Sequence, residues 1–181
     1  EEFTRTNYQV AVVTDPYASK ADREQFEKGW FDTNMTDLNY NNPLLFDYVL
    51  QSYIYWAELT GLDGFRVDTY PYNDLNMASK LMAAIRREYP RMNLVGECWV
   101  KSFPEMAYYQ TGNNNKDGFD SNLPSVMDFM LKDWLEMAFV EEEAWNKGVI
   151  RFYNHFAQDF CMPNPSNIMC MLDNHDMTRF A

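Results

Sequence analysis

The chain has 181 residues, 46% hydrophobic and 17% aromatic, enough to bury the core of one compact domain or part of one. Its 15 Lys and Arg against 27 Asp and Glu leave a net charge of −12; without a basic stripe, nucleic acid and anionic membrane surfaces are excluded as expected partners. Cys98, Cys161 and Cys170 are odd in number and lack C-x-x-C spacing, which indicates neither a disulfide framework nor a zinc site.

No apolar run reaches the ~18 residues of a membrane-spanning helix. The opening EEFTRTNYQV has neither a methionine nor the basic-then-apolar layout of a signal peptide. The chain reads as the middle of a longer protein, and its compartment is left open.

Residues 1–42 are rich in Asp, Asn, Thr and Tyr without periodicity and predict an irregular, loop-rich region. Asn42-Pro43 then marks a helix start and Gly61 its stop, with Phe46, Val49, Leu50, Tyr53, Trp56 and Ala57 at helical spacing between them. A short strand over 62–68 follows, then an amphipathic helix near 74–89 closed by Pro90, and a second strand over 93–97. Strand, helix and strand at this spacing form the right-handed crossover of a parallel sheet. Further on, 124–130 reads as a third strand, 131–145 and 147–160 as helices, and 168–172 as a fourth strand. The fold class is α/β.

Each of three strands carries a carboxylate at or just past its C-terminal end: Asp68 in FRVD, Glu97 in LVGE, Asp176 in MLDNHD. In a parallel α/β barrel that rim is where reactive groups gather, so the three acids are expected to face one pocket. Side-chain alternation puts Arg66 and Asp68 on one side of their strand, and Phe65 and Val67 on the other, towards the helices. An arginine beside Asp68 favours its ionised form, while burial and neighbouring acids raise the pKa of Glu97, the expected protonated member. One ionised and one protonated carboxylic acid across a scissile bond is the arrangement for glycoside hydrolysis, and a separation of about 5–5.5 Å would make the reaction retaining.

Singly, each residue has a plainer reading: Arg66–Asp68 as a buried structural ion pair, Glu97 as a helix cap, His175 as a satisfied core histidine. His155, between Asn154 and Phe156 on an apolar helix face, reads as structural. Trp99, Tyr70, Tyr72, Tyr108 and Tyr109 offer flat faces for sugar rings, but most such side chains fill cores. Tyr72 and Trp99 are the two assigned to substrate.

GFRVD, GECW and DNHD resemble, in order and spacing, three signature segments of the α-amylase family of glycoside hydrolases, a similarity that spans roughly residues 30–180. MTDLN at 35–39 resembles the segment that points to the neopullulanase, cyclomaltodextrinase and oligo-1,6-glucosidase branches, with Thr36 in place of the usual proline, and SVMDF at 125–129 resembles the sixth barrel strand. The resemblance implies that Asp68 is the nucleophile, Glu97 the general acid/base and Asp176 the stabiliser of an oxocarbenium-like transition state. By the same resemblance Arg66 orients Asp68, His175 holds sugar hydroxyls, and the substrate is an α-glucan oligosaccharide.

Two departures stand out. Pro71 and Tyr72 replace the Lys-His pair that many α-amylases carry after the nucleophile, and the Asp-x-x-x-Asn-His segment of the third strand is absent. The implied fold is therefore part of a (β/α)8 TIM barrel, roughly strands four to seven, with residues 1–40 as the end of the inserted loop-rich domain and 41–181 as the partial barrel. Two open barrel edges would favour self-association, and the isolated chain is expected to be inactive or nearly so. No cofactor or metal is assigned, calcium being an expectation only for the intact parent. The alternatives are a transglycosylase of the same family and a non-catalytic scaffold relative; the retention of all three acids argues against the last.

Overall fold

The computed structural model describes residues 3–4 and 18–180. Five helices begin where a polar side chain accepts a hydrogen bond from an otherwise free amide of the first turn. Ser19 caps α1 (Lys20–Lys28), Asn42 caps α2 (Pro43–Thr60), and Asp74 caps α3 (Leu75–Glu88). Ser102 caps α4 (Phe103–Tyr108) and Asp128 caps α5 (Phe129–Val140), whereas α6 (Ile150–Phe156) has no side-chain cap. Gly61 ends α2 at φ 65°, a left-handed conformation that glycine reaches without penalty.

Four short strands, β1 (Gly64–Val67), β2 (Asn93–Gly96), β3 (Ser125–Asp128) and β4 (Met169–Cys170), form one sheet in the order β1-β2-β3-β4, every pair parallel. Helices fill the crossovers, as parallel strands require. This is the incomplete α/β barrel that the sequence implies, open at β1 and β4. Large apolar side chains lie exposed on its flanks, including Leu44 and Tyr48 on α2 and Phe139, Trp145 and Phe160 on and after α5.

The core lies between the sheet and its helices. α3 buries Ala78, Leu81, Met82 and Ile85, and full burial of each of the three large side chains contributes about 1.5–3 kcal/mol. On β1, Phe65 meets Tyr53 of α2 edge-on at 4.8 Å, and Phe65 and Val67 both pack on the core. Arg66 and Asp68 consequently project from the opposite face.

Several boundaries differ from the sequence expectation. The segment before residue 42 contains α1, a nine-residue helix whose Phe26 is buried; only that ring enters the protein, too little to show as a periodic stripe. α4 lies in a stretch without a predicted element and is marked instead by a reciprocal cap in which Glu105 N–H donates to Ser102 Oγ and Ser102 Oγ–H donates to Glu105 Oε2. The third strand stops at Asp128 because that carboxylate takes the amide of Leu131 at 2.9 Å and starts α5 two residues early. Glu141 ends α5 and pairs with Arg151, and left-handed Asn146 and Gly148 delay α6 to residue 150. The fourth strand narrows to Met169–Cys170.

One close approach fixes the strand that precedes Glu97. A Cβ on Gly96 would fall 2.4 Å from Leu123 Cδ1 and 3.3 Å from Cys98 Sγ. Both neighbours are fully buried and have no space to retreat into. Gly96→Ala is therefore expected to cost about 1–3 kcal/mol of stability through overpacking, read as a lower urea midpoint with an unchanged slope; an unaltered midpoint would contradict this packing.

Candidate active site

The register of the first two strands sets Asp68 and Glu97 side by side. Val67 pairs with Gly96, the amide of Glu97 donates to Val67 O at 2.9 Å, and the amide of Tyr70 donates back to Glu97 O at 3.2 Å. Asp68 and Glu97 are the next residues along the two chains. Arg66, two positions before Asp68 and on the same face, reaches both: Nη1 donates to Asp68 Oδ1, and Nη2 lies 3.0 Å from Glu97 Oε1. One guanidinium spans two carboxylates with its rigid fork.

The environments of the two acids differ. The Asp68 side chain is 62% exposed and that of Glu97 only 7%. Burial pushes the Glu97 carboxyl above its ordinary value, the Thr69 amide and Arg66 pull it down, and the charges of Asp68 and Asp176 push it up again, with a net rise. Glu97 thus keeps its proton to higher pH than an ordinary glutamate does.

Thr69 supplies the second hold on Glu97. Its amide donates to Oε2 at 2.7 Å, and it does so from a left-handed backbone, φ 43° and ψ 40°. A β-branched residue rarely adopts that conformation, which costs on the order of 1–3 kcal/mol and occurs where the surroundings impose it. The turn aims an N–H at the acid on the neighbouring strand. Nothing in the sequence marks Thr69 for this role, because the donor is backbone and any non-proline residue carries one.

Asp176 follows β4 through the loop 171–176. Arg179 and the amide of Phe180 bind Asp173 at 2.6 and 2.9 Å, and the Asp176 amide donates to Asn174 Oδ1 at 2.9 Å, which shapes that loop. His175 Nε2 lies 3.2 Å from Asp176 Oδ2, and both side chains are exposed to solvent. Asp176 is close enough for its charge to act on Glu97. The structure thus brings Arg66, Asp68 and Glu97 into direct contact and Asp176 into electrostatic range, with His175 beside it.

A cavity of about 370 Å³ opens next to Asp68. Arg66, Asp68, Thr69 and Tyr72 line one side, and Phe31, Met35 and Asp37 from the loop-rich segment line the other. Glu97, Trp99, His175 and Asp176 are not among its walls. The Tyr72 ring is wedged between Phe26 and Phe31 at 4.9 and 5.1 Å, and burial and the nearby Glu97 raise its hydroxyl pKa. Asp37, within the MTDLN segment, has its carboxyl pushed up to about 7, chiefly by burial.

Among the other aromatic candidates, Tyr70 and Tyr109 are buried and turned into the core, and Tyr108 donates to Asp117 at 2.9 Å. Trp99 is 37% exposed and stacks one face on Phe129, with centroids 4.5 Å apart and planes 12° apart. Only its other face is available to a ligand. Among the described residues no group of three or more His, Cys, Asp and Glu could hold a metal ion. No helix among them is long and apolar enough to cross a membrane.

Comparison with known proteins gives a consistent result. The family profile for the α-amylase catalytic domain matches residues 7–181. "Trehalose synthase/amylase TreS" of Mycolicibacterium smegmatis is 42% identical over 167 residues, 85% of this chain and 26% of that protein. "Alpha-amylase 3" of Dictyoglomus thermophilum is 27% identical over 157 residues, 82% of this chain and 28% of that protein. The chain thus spans little more than a quarter of these curated relatives. Among solved structures, the Anoxybacillus α-amylase superposes with a TM-score of 0.77 at 20% identity over 99% of this chain and 35% of that one. The Geobacillus thermoleovorans α-amylase complexed with acarbose does so with a TM-score of 0.76 at 19% identity over 99% and 36%. At such identities the superpositions speak for the fold alone, while the profile covers nearly the whole chain: it belongs to the α-amylase family of glycoside hydrolases, as part of the catalytic barrel.

Proposed function

We propose that the intact protein is a retaining hydrolase of α-glucosidic bonds in starch-derived oligosaccharides, cyclodextrins or pullulan. The observation that carries this reading is the single guanidinium of Arg66 spanning an exposed and a buried carboxylate on adjacent strand ends. Asp68 attacks the anomeric carbon while Glu97 gives its proton to the departing glycosidic oxygen, so the C–O bond breaks as a glycosyl ester forms on Asp68. Glu97, now ionised, takes a proton from water; the resulting hydroxide displaces Asp68 and restores both groups. Asp176 supplies negative charge where the sugar ring becomes oxocarbenium-like. His175, Tyr72 and the free face of Trp99 contact the sugars around the cleaved bond. The MTDLN segment supports the neopullulanase and cyclomaltodextrinase branch.

A second reading is transfer instead of hydrolysis, with a sugar hydroxyl in place of water at the second step. It is favoured by the 42% identical trehalose synthase/amylase and by similarity to a "Cyclomaltodextrin glucanotransferase" of Klebsiella oxytoca, 25% identical over 156 residues, 82% of this chain and 23% of that protein. Product analysis at high substrate concentration separates the two.

In the full-length protein, Asp68→Asn is expected to abolish turnover of maltotriose and cyclodextrin while leaving the melting temperature near the parent value; retained turnover would remove Asp68 from the role of nucleophile, and no turnover by the parent protein itself would assign the chain to a scaffold. Glu97→Gln should lower kcat by about 10²–10⁴-fold, with activity on an activated aryl glycoside reduced far less, since that leaving group departs without a proton.

The pH dependence has a defined sign. Glu97 must be protonated to act as the acid, so kcat/KM falls as pH rises through its raised pKa. Arg66 lowers that pKa, and Arg66→Gln should move the basic limb of the profile to higher pH even as kcat drops. A limb that stays in place, or moves to lower pH, contradicts the proposed coupling.

A further inference from the structure

Asp128 and His155 form a buried pair that the chemistry above leaves unused. Their side chains are 3% and 1% exposed, and His155 Nε2 lies 2.7 Å from Asp128 Oδ2. With the proton of the bond on the ring, Nε2 donates and the carboxylate accepts. The other carboxylate oxygen, Oδ1, takes the Leu131 amide at 2.9 Å, and His155 Nδ1 has no partner among the described residues. Burying two polar groups this deeply with one ring nitrogen unsatisfied costs free energy.

The position of the pair suggests what it holds. His155 packs on Phe103 at 4.8 Å, and Phe103 opens α4 directly after the loop that carries Glu97 and Trp99. Asp128 is followed by Phe129, whose ring is stacked on Trp99. The segment 97–103 is thus gripped at two points, Trp99 and Phe103, and the Asp128–His155 bond joins the two grips by tying the end of β3 to α6. Asp128 itself ends the strand next to β2 and pairs in register with Cys170 of β4.

We propose that Asp128 and His155 are positioning residues for Glu97, fixing the depth of its carboxyl through Trp99 and Phe103. This rests on the acid/base role assigned to Glu97. Loosening either grip admits water around Glu97, removes part of the burial that raises its pKa, and misplaces the proton donor.

The test follows the Glu97 carboxyl itself in the full-length protein, by infrared difference titration with the band assigned through Glu97→Gln. In His155→Leu the titration midpoint is expected to fall towards the ordinary carboxylate range, and kcat to drop about 10–100-fold, with KM changed much less. His155→Gln, which returns a donor near Nε2, should recover most of both. Phe129→Leu leaves the Asp128–His155 bond in place and removes only the ring on Trp99; it should reproduce the fall, and serves if the leucine variant does not fold. A parental midpoint in a folded His155→Leu or Phe129→Leu variant, with only the melting temperature lowered, overturns the proposal and makes the pair purely structural. A shifted midpoint in a protein that cleaves no α-glucan upholds the positioning and sinks the hydrolase reading instead.

Discussion

One ion-pair arrangement constrains the whole candidate site: Arg66 lies between Asp68 and Glu97, and each contact needs the other two residues at their present places. A guanidinium is planar, always charged and pre-organised as a fork, so it can hold two carboxylates at a set spacing where a flexible ammonium would not. When both are ionised the two acids repel one another, and without the cation the deeper one would keep its proton to still higher pH. The arrangement survives in half-buried surroundings because strand pairing, not the ion pair, determines where the three backbones run.

That dependence runs back through the fold. Parallel pairing of the first two strands aligns residues 67 and 96, which makes the next residue of each chain a neighbour across the sheet. Phe65 and Val67 turn inward to α2 and the core, which leaves Arg66 and Asp68 no other face. Gly96 keeps the second strand close to Leu123, and the left-handed turn at Thr69 brings an amide to Glu97. Packing thus supplies the precision, and burial raises the pKa of Glu97. In the proposed reaction the buried acid is the donor and the one left in solvent the nucleophile.

Much of this is legible in the residues. The apolar face of α2 between Asn42-Pro43 and Gly61, from which only Trp56 turns out to solvent, the alternation in GFRVD, and the acids just past the ends of β1 and β2 are local patterns with direct structural meaning, whereas Asp176 stands six residues beyond β4. What the sequence does not display depends on partners far along the chain. Helix α1 presents one buried ring instead of a stripe, and the donor of Thr69 is invisible because it is backbone. The Asp128–His155 bond joins residues 27 apart that carry no motif in common. His155 does read as structural from its apolar neighbours, but its tie to Asp128, and through Trp99 and Phe103 to Glu97, follows only from the folded arrangement. The end of the third strand moved for a related reason, since Asp128 spends its second oxygen on capping α5.

The central claim is chemical, that Asp68 forms a covalent bond to the sugar. A fluorinated glucosyl fluoride slows the second step of a retaining reaction more than it slows the first, so the glycosyl-enzyme accumulates. Incubating the full-length protein with such a reagent and sequencing the labelled peptide by mass spectrometry should place one glycosyl group on Asp68, and none when Asp68 is replaced by Asn. A label on another residue, or inverted product with no covalent species, would contradict the account.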